Sequence, residues 1–231
     1  MSLTTSQPAS GVRPARKRSA GWLLPAGLIT FGLVPILANA LRRVAMAVAP
    51  TAPSSGEGGG MSVPVILHVV GATIFVVLGA LQFSASFRRR RPSWHRIAGR
   101  VAILAALLAA GSGLWLAFAT LADYSPLLFV FRILAAAGLA LCIIFGFRAI
   151  RQRRLPRHRA WMIRAFAIGL GAATQVFTLG FGEGIFGESE LSVALLNGAG
   201  WAINLAVAEW IIRRTRRHVT RRAADRTGVR G

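Results

Sequence analysis

One cysteine, one lysine and only seven carboxylates in 231 residues remove much of the chemistry a chain of this length could carry. Cys142 stands in an apolar run. It has no second cysteine for a disulfide and no CxxC or CxxCH element, so it reads as core filler. No paired catalytic carboxylates, no nucleophile beside a histidine at its own level and no glycine-rich phosphate loop are present. Charged residues make up 15% of the chain, against about a quarter in an ordinary soluble domain. Lys17 is the sole lysine, so the basic residues are otherwise arginines, a bias of composition more than a functional choice.

What the chain does have is apolar length and positive charge. Hydrophobic residues are 54% of the sequence, and the formal net charge is +21. Such a balance can mark a nucleic-acid binder. Here, however, the arginines flank apolar runs of spanning length, where lipid headgroups are the nearest partners, and nucleic acid is excluded. A bilayer span needs about 20 mostly apolar residues. Six stretches qualify: Trp22–Leu41, Val63–Phe87, Arg96–Ala119, Leu127–Phe147, Trp161–Phe181 and Leu191–Ile212. The expected fold is all-α, a polytopic membrane bundle of about six transmembrane helices. Its core is helices two to five, arranged as two repeated hairpins. Leu41-Arg42-Arg43 offers no small-residue cleavage site after the first span, which therefore reads as a retained helix and not a signal peptide.

Four regions follow. Residues 1–20 form a basic cytoplasmic tail, and 21–61 hold the first helix and an outer loop that is rich in Pro, Ser and Gly over 50–61. Residues 62–212 form a five-helix membrane domain, and 213–231 a second basic tail. Both tails read as disordered, with His218 solvated in the second. With the N-terminus inside, 25 Lys and Arg fall on the inner side and only Arg42, Arg43 and Arg132 on the outer. That asymmetry obeys the positive-inside rule and predicts an inner-membrane protein with both termini cytoplasmic. Glu57, Asp123, Glu183, Glu188 and Glu190 fall outside. The bilayer, and anionic headgroups at its inner face, are the expected partners.

The turns of the two hairpins read RRPSWHRIAGR and RRLPRHRAWMIR, so His95 and His158 are equivalents, each opening a second helix after a proline. His68 and Arg132 precede them at matched spacing. A parallel repeat would bring His95 near His158 at the inner face and His68 near Arg132 at the outer. Polar groups within spans usually face the bundle interior. Accordingly one stripe of the second helix carries His68, Gly71, Gly79, Gln82 and Ser86. One stripe of the fifth carries Arg164, Gly171, Gln175 and Thr178. On the third helix the stripe from His95 through Gly99, Ala102, Ala106 and Ala109 to Gly113 is small throughout. It suits either close helix packing or a flat cofactor lying against it.

Three readings of His95 and His158 stay open. They could ligate haem b iron from opposite sides, with Gly99 giving room and Arg96, Arg157 and Arg159 pairing with propionates. They could bind phosphate or water at the headgroups, or simply start their helices. Arg164 and Glu209 lie at similar depth, where an interhelical salt bridge competes with snorkelling. Gln82, Gln175 and Asn204 can hydrogen-bond across helices.

The series His68, Gln82, Arg88, His95-Arg96-x-x-Gly99-Arg100, Arg132 and His158-Arg159-x-Trp161-Met162-x-Arg164 resembles the bacterial predicted-membrane-protein family known as domain of unknown function twenty-three-oh-six, over helices two to five. That resemblance implies no activity. A weaker one is to cytochrome b561-like haem proteins, which use histidine pairs at each face, whereas the outer face here has only His68. Two classes of function follow. One is a redox protein with haem b between His95 and His158, exchanging electrons with a quinone. The other is a non-enzymatic transporter, lipid-binding or assembly protein.

Overall fold

A computed structural model of the chain describes residues 22–48, 62–121 and 125–226. The tail over 1–20, the loop over 50–61, Asp123, and the side chains of Arg42, Arg43 and His218 lie outside the described residues. Within them the chain forms eight helices and no strand. They are α1 (Leu23–Val48), α2 (Val63–Gln82), α3 (Ala85–Arg90), α4 (Pro92–Ala119), α5 (Pro126–Arg151), α6 (Leu155–Gly169), α7 (Gly171–Phe186) and α8 (Glu190–Arg226). Helices α1, α2, α4, α5 and α8 are each long and apolar enough to cross a bilayer. The pair α6 and α7 passes the same test only when taken together, with a 42° bend between them, as a broken span or a re-entrant loop does.

The helix starts follow local chemistry. Proline occupies one of the first two positions of α2, α4, α5 and α6, where its missing N–H costs no helical bond. Ser125 caps α5 by accepting from the Leu128 N–H, and Ser84 caps α3 by accepting from the Phe87 N–H. Large apolar side chains point outward: Leu104 is 67% exposed, Phe181 72% and Ile185 74%. That is the inverse of a soluble domain and fits a lipid-facing surface. The interior is built from small residues, Ala80, Ala102, Ala105, Ala106 and Ala165, around Phe75, Phe166, Leu139 and Ile143.

Helices α2, α4, α5 and α6 pack in a ring, each against the next, so that α4 and α6 sit on a diagonal. The closest pairing is α2 on α4. A Cβ on Gly71 would stand 2.9 Å from the Ala105 carbonyl oxygen and 3.0 Å from the Ala109 nitrogen. Small residues permit this approach of two backbones, which van der Waals packing in lipid requires. Beyond the bend, α7 leaves the ring and leans on α1 and α8, with Phe31 of α1 stacked on Phe177 at 5.9 Å.

Four expectations are corrected. The run Val63–Phe87 is not one helix: it breaks at Phe83-Ser84, where the Ser84 cap starts α3 anew. The third span begins at Pro92, ahead of Arg96. The fifth begins at Leu155 and bends at Leu170. There, a Cβ on Gly171 would run into the Trp201 indole, and Asn204 of α8 donates to the Ala167 carbonyl at 3.1 Å. Breaks of this kind persist in lipid because a neighbour satisfies the backbone. Finally, residues 214–226 are not disordered; α8 runs on to Arg226, since arginine is a good helix former.

Candidate functional site

At the arginine-rich end, His95 and His158 occupy the same place in their helices. The N–H of each bonds the carbonyl of the residue before the helix, Arg91 or Arg154. Their side chains differ. His158 Nδ1 lies 2.9 Å from the Gly146 carbonyl of α5. A carbonyl only accepts, so Nδ1 carries the proton and donates, and the neutral ring keeps its lone pair on Nε2. Gly146 allows the approach: a Cβ there would meet Met162 and stand 3.4 Å from the Trp161 Cβ. His95 finds no such carbonyl. The step that leads back from His158 to Gly146 leads from His95 to Phe83, which lies in the break between α2 and α3. His95 Nδ1 is accordingly buried without a hydrogen-bond partner. Arg88, Arg96 and His158 all stand within electrostatic reach of the ring.

Arg96 and Arg159 are exposed; the Arg96 guanidinium donates to Ser93 Oγ at 3.3 Å. Gly99 does not face open space. The Gln82 amide oxygen would lie 3.4 Å from a Cβ there, and among the described residues Gln82 itself donates only to the Leu78 carbonyl of its own helix. Farther along α4, Ala102, Ala106 and Ala109 are buried, and a Cβ on Gly113 would stand 3.0 Å from the His68 ring. From Ala102 to Gly113 the small-residue stripe therefore serves the close packing of α2 on α4.

At the far end, His68 Nδ1 donates to the Ala109 carbonyl at 2.8 Å, tying α2 to α4. Arg132 reaches Thr120 Oγ1 at 3.4 Å, about two helical turns beyond Gly113. The two thus hold separate levels of α4. The hairpins also break differently, the first in its leading arm at Phe83-Ser84, close to its turn, and the second in its returning arm at Leu170.

Arg164 and Glu209 do pair. The guanidinium Nε donates to Oε1 and Nη2 to Oε2, the latter at 3.1 Å, and Arg164 lies 4.7 Å over the Trp161 ring. This is the one ion pair among the described residues. A polar seam continues between α7 and α8. Gln175 donates to the Asn197 carbonyl at 3.0 Å, Thr178 to the Leu196 carbonyl at 2.8 Å, and Thr174 to Asn204 Oδ1 at 2.8 Å. Among the described residues no group of three or more His, Cys, Asp or Glu could hold a metal ion. Sequence reasoning missed the two carbonyl partners of the histidines. Backbone oxygens leave no mark in a sequence, and Gly146 was the only available signal.

No curated protein and no solved structure matches the chain. The family described as predicted membrane protein, DUF2306, matches residues 65–212, from the first turn of α2 to the end of the apolar part of α8. On that match, together with the outward-facing apolar helices, the chain is an integral membrane protein and belongs to the DUF2306 family.

Proposed function

We propose that the arginine-rich end binds haem b between His95 and His158, and that the protein carries electrons in the bacterial inner membrane. The observation that carries this reading is the pinned imidazole of His158. Donation from Nδ1 to the Gly146 carbonyl leaves Nε2 as the coordinating atom, as in histidines that ligate metals. His95, with its unpartnered buried nitrogen, belongs to the helix diagonally opposite. Haem would supply the one-electron chemistry. Arg96 and Arg159 would hold its propionates, and Gln82, tied only to its own helix, would give way over Gly99. The Soret band of detergent-purified protein tests the reading. His95→Ala and His158→Ala should each abolish a low-spin signal. A colourless parent protein, or an unchanged spectrum in either variant, overturns it.

One observation favours a second reading, a non-enzymatic transporter, lipid-binding or assembly protein. His68 makes the same kind of bond to a carbonyl without a second histidine in contact, so a pinned histidine also serves as a plain interhelical tie.

The charge asymmetry of the sequence supports an orientation with both termini cytoplasmic. Reporter fusions at Gly59 and Gly231 should then report opposite sides, periplasmic and cytoplasmic. The same side from both would overturn the orientation.

A further inference from the structure

Between the start of α1 and the short helix α3 lies a cleft of about 520 Å³. Its walls are Trp22, Ile29, Leu81 and Phe87, and it is also lined by Arg90 and Arg91; among the described residues no carboxylate lines it. Neither arginine has an ion-pair partner among the described residues, where Arg164–Glu209 is the only pair. The cleft lies where the apolar run of α2 ends at Gln82 and that of α1 begins at Leu23, hence at the level where hydrocarbon gives way to headgroups. Trp22, 68% exposed, stands where aromatic residues gather at a membrane boundary.

We propose that this cleft is a binding site for one anionic phospholipid, its phosphate on Arg90 and Arg91 and its acyl chains along Ile29, Leu81 and Phe87. Charge and shape decide the class of ligand together. A free anion would leave the apolar walls wet, and a zwitterionic lipid would bring its own cation beside the two arginines, whereas an anionic lipid adds only negative charge. Basic pockets between transmembrane helices take anionic headgroups for this reason. The site shares the arginine-rich end with His95, whose N–H bonds the Arg91 carbonyl, but none of its lining residues belongs to the proposed haem site and it does not rest on the haem proposal.

Native mass spectrometry of the detergent-purified full chain tests it, with phosphatidylglycerol and phosphatidylcholine of identical chains as probes. Phosphatidylglycerol should be retained in preference to phosphatidylcholine. The double variant Arg90→Gln with Arg91→Gln should bind it roughly thirtyfold more weakly, each surface arginine contributing about fivefold. The equal charge loss of Arg213→Gln with Arg214→Gln should leave binding unchanged. Both pairs are exposed, so neither substitution threatens the fold. Equal retention of the two lipids would overturn the proposal, as would equal effects of the two double variants. Displacement of phosphatidylglycerol by millimolar inorganic phosphate would also overturn it, by showing that only an anion is held.

Discussion

Gly71→Val should be the most damaging single substitution in the bundle, lowering stability by about 3 kcal/mol, the upper end of what overpacking usually costs. The reason is that the added carbons meet backbone, the Ala105 carbonyl and the Ala109 nitrogen, and backbone cannot swing aside as a side chain can. Helix α2 must back away from α4. The bond from His68 to the Ala109 carbonyl, one turn away, is then stretched as well; such bonds contribute on the order of 1 kcal/mol in membranes. Gly111 lies on the same helix as Ala109 but faces nothing within 4 Å, so Gly111→Ala should be neutral. Unfolding of the purified protein by heat or by a denaturing detergent would measure both. Equal stability of the two variants would show that α2 and α4 do not approach as described.

Glu209→Ala should cost about 2 kcal/mol. Removing one partner of a buried ion pair costs about 3–5 kcal/mol. Here the side chains are 23% and 35% exposed, and solvent screening trims the figure. What remains is the unpaired Arg164 guanidinium between α6 and α8, held by the Trp161 ring alone. Arg164→Met combined with Glu209→Leu should recover most of the loss, because it removes both charges and keeps the volume. The same unfolding measurements decide: a double variant as unstable as the single one would mean that packing, not charge pairing, is lost.

The spans were legible because apolar length is a physical requirement of the bilayer and is written directly in composition. The depth argument that set Arg164 beside Glu209 worked for the same reason: residue count along a helix is distance. Breaks were harder. At Leu170 both flanks are apolar and no proline stands there; only Gly169 and Gly171 hinted at it, and glycine is common in such spans. At Phe83-Ser84 the signal was available, a serine three residues before Phe87 in capping position, but the run of apolar residues concealed it. Of the three amides expected to cross between helices, Gln175 and Asn204 do, while Gln82 turns back on its own turn. The choice depends on which face the neighbouring helix presents, and one sequence does not reveal that. The arginines of residues 214–226 suggested a solvated tail; charge density says where a segment sits and little about whether its backbone is helical.

The seat of α1 has a bearing on how the protein is made. Its two neighbours are α2 and α7, and α1 itself precedes the matched region 65–212. Helices leave the ribosome in order. From Val48 to Gly171 the wait is roughly 6 to 25 s at about 5–20 residues per second. During that interval the face bearing Phe31 has lipid where Phe177 will later stack. Lipid tails are as apolar as the phenyl ring, so no hydrophobic force hurries the meeting. Helix α1, which enters the membrane ahead of α2 to α8, is therefore among the last of these helices to reach its final neighbours, and a nascent chain arrested before α7 would hold α1 by α2 alone.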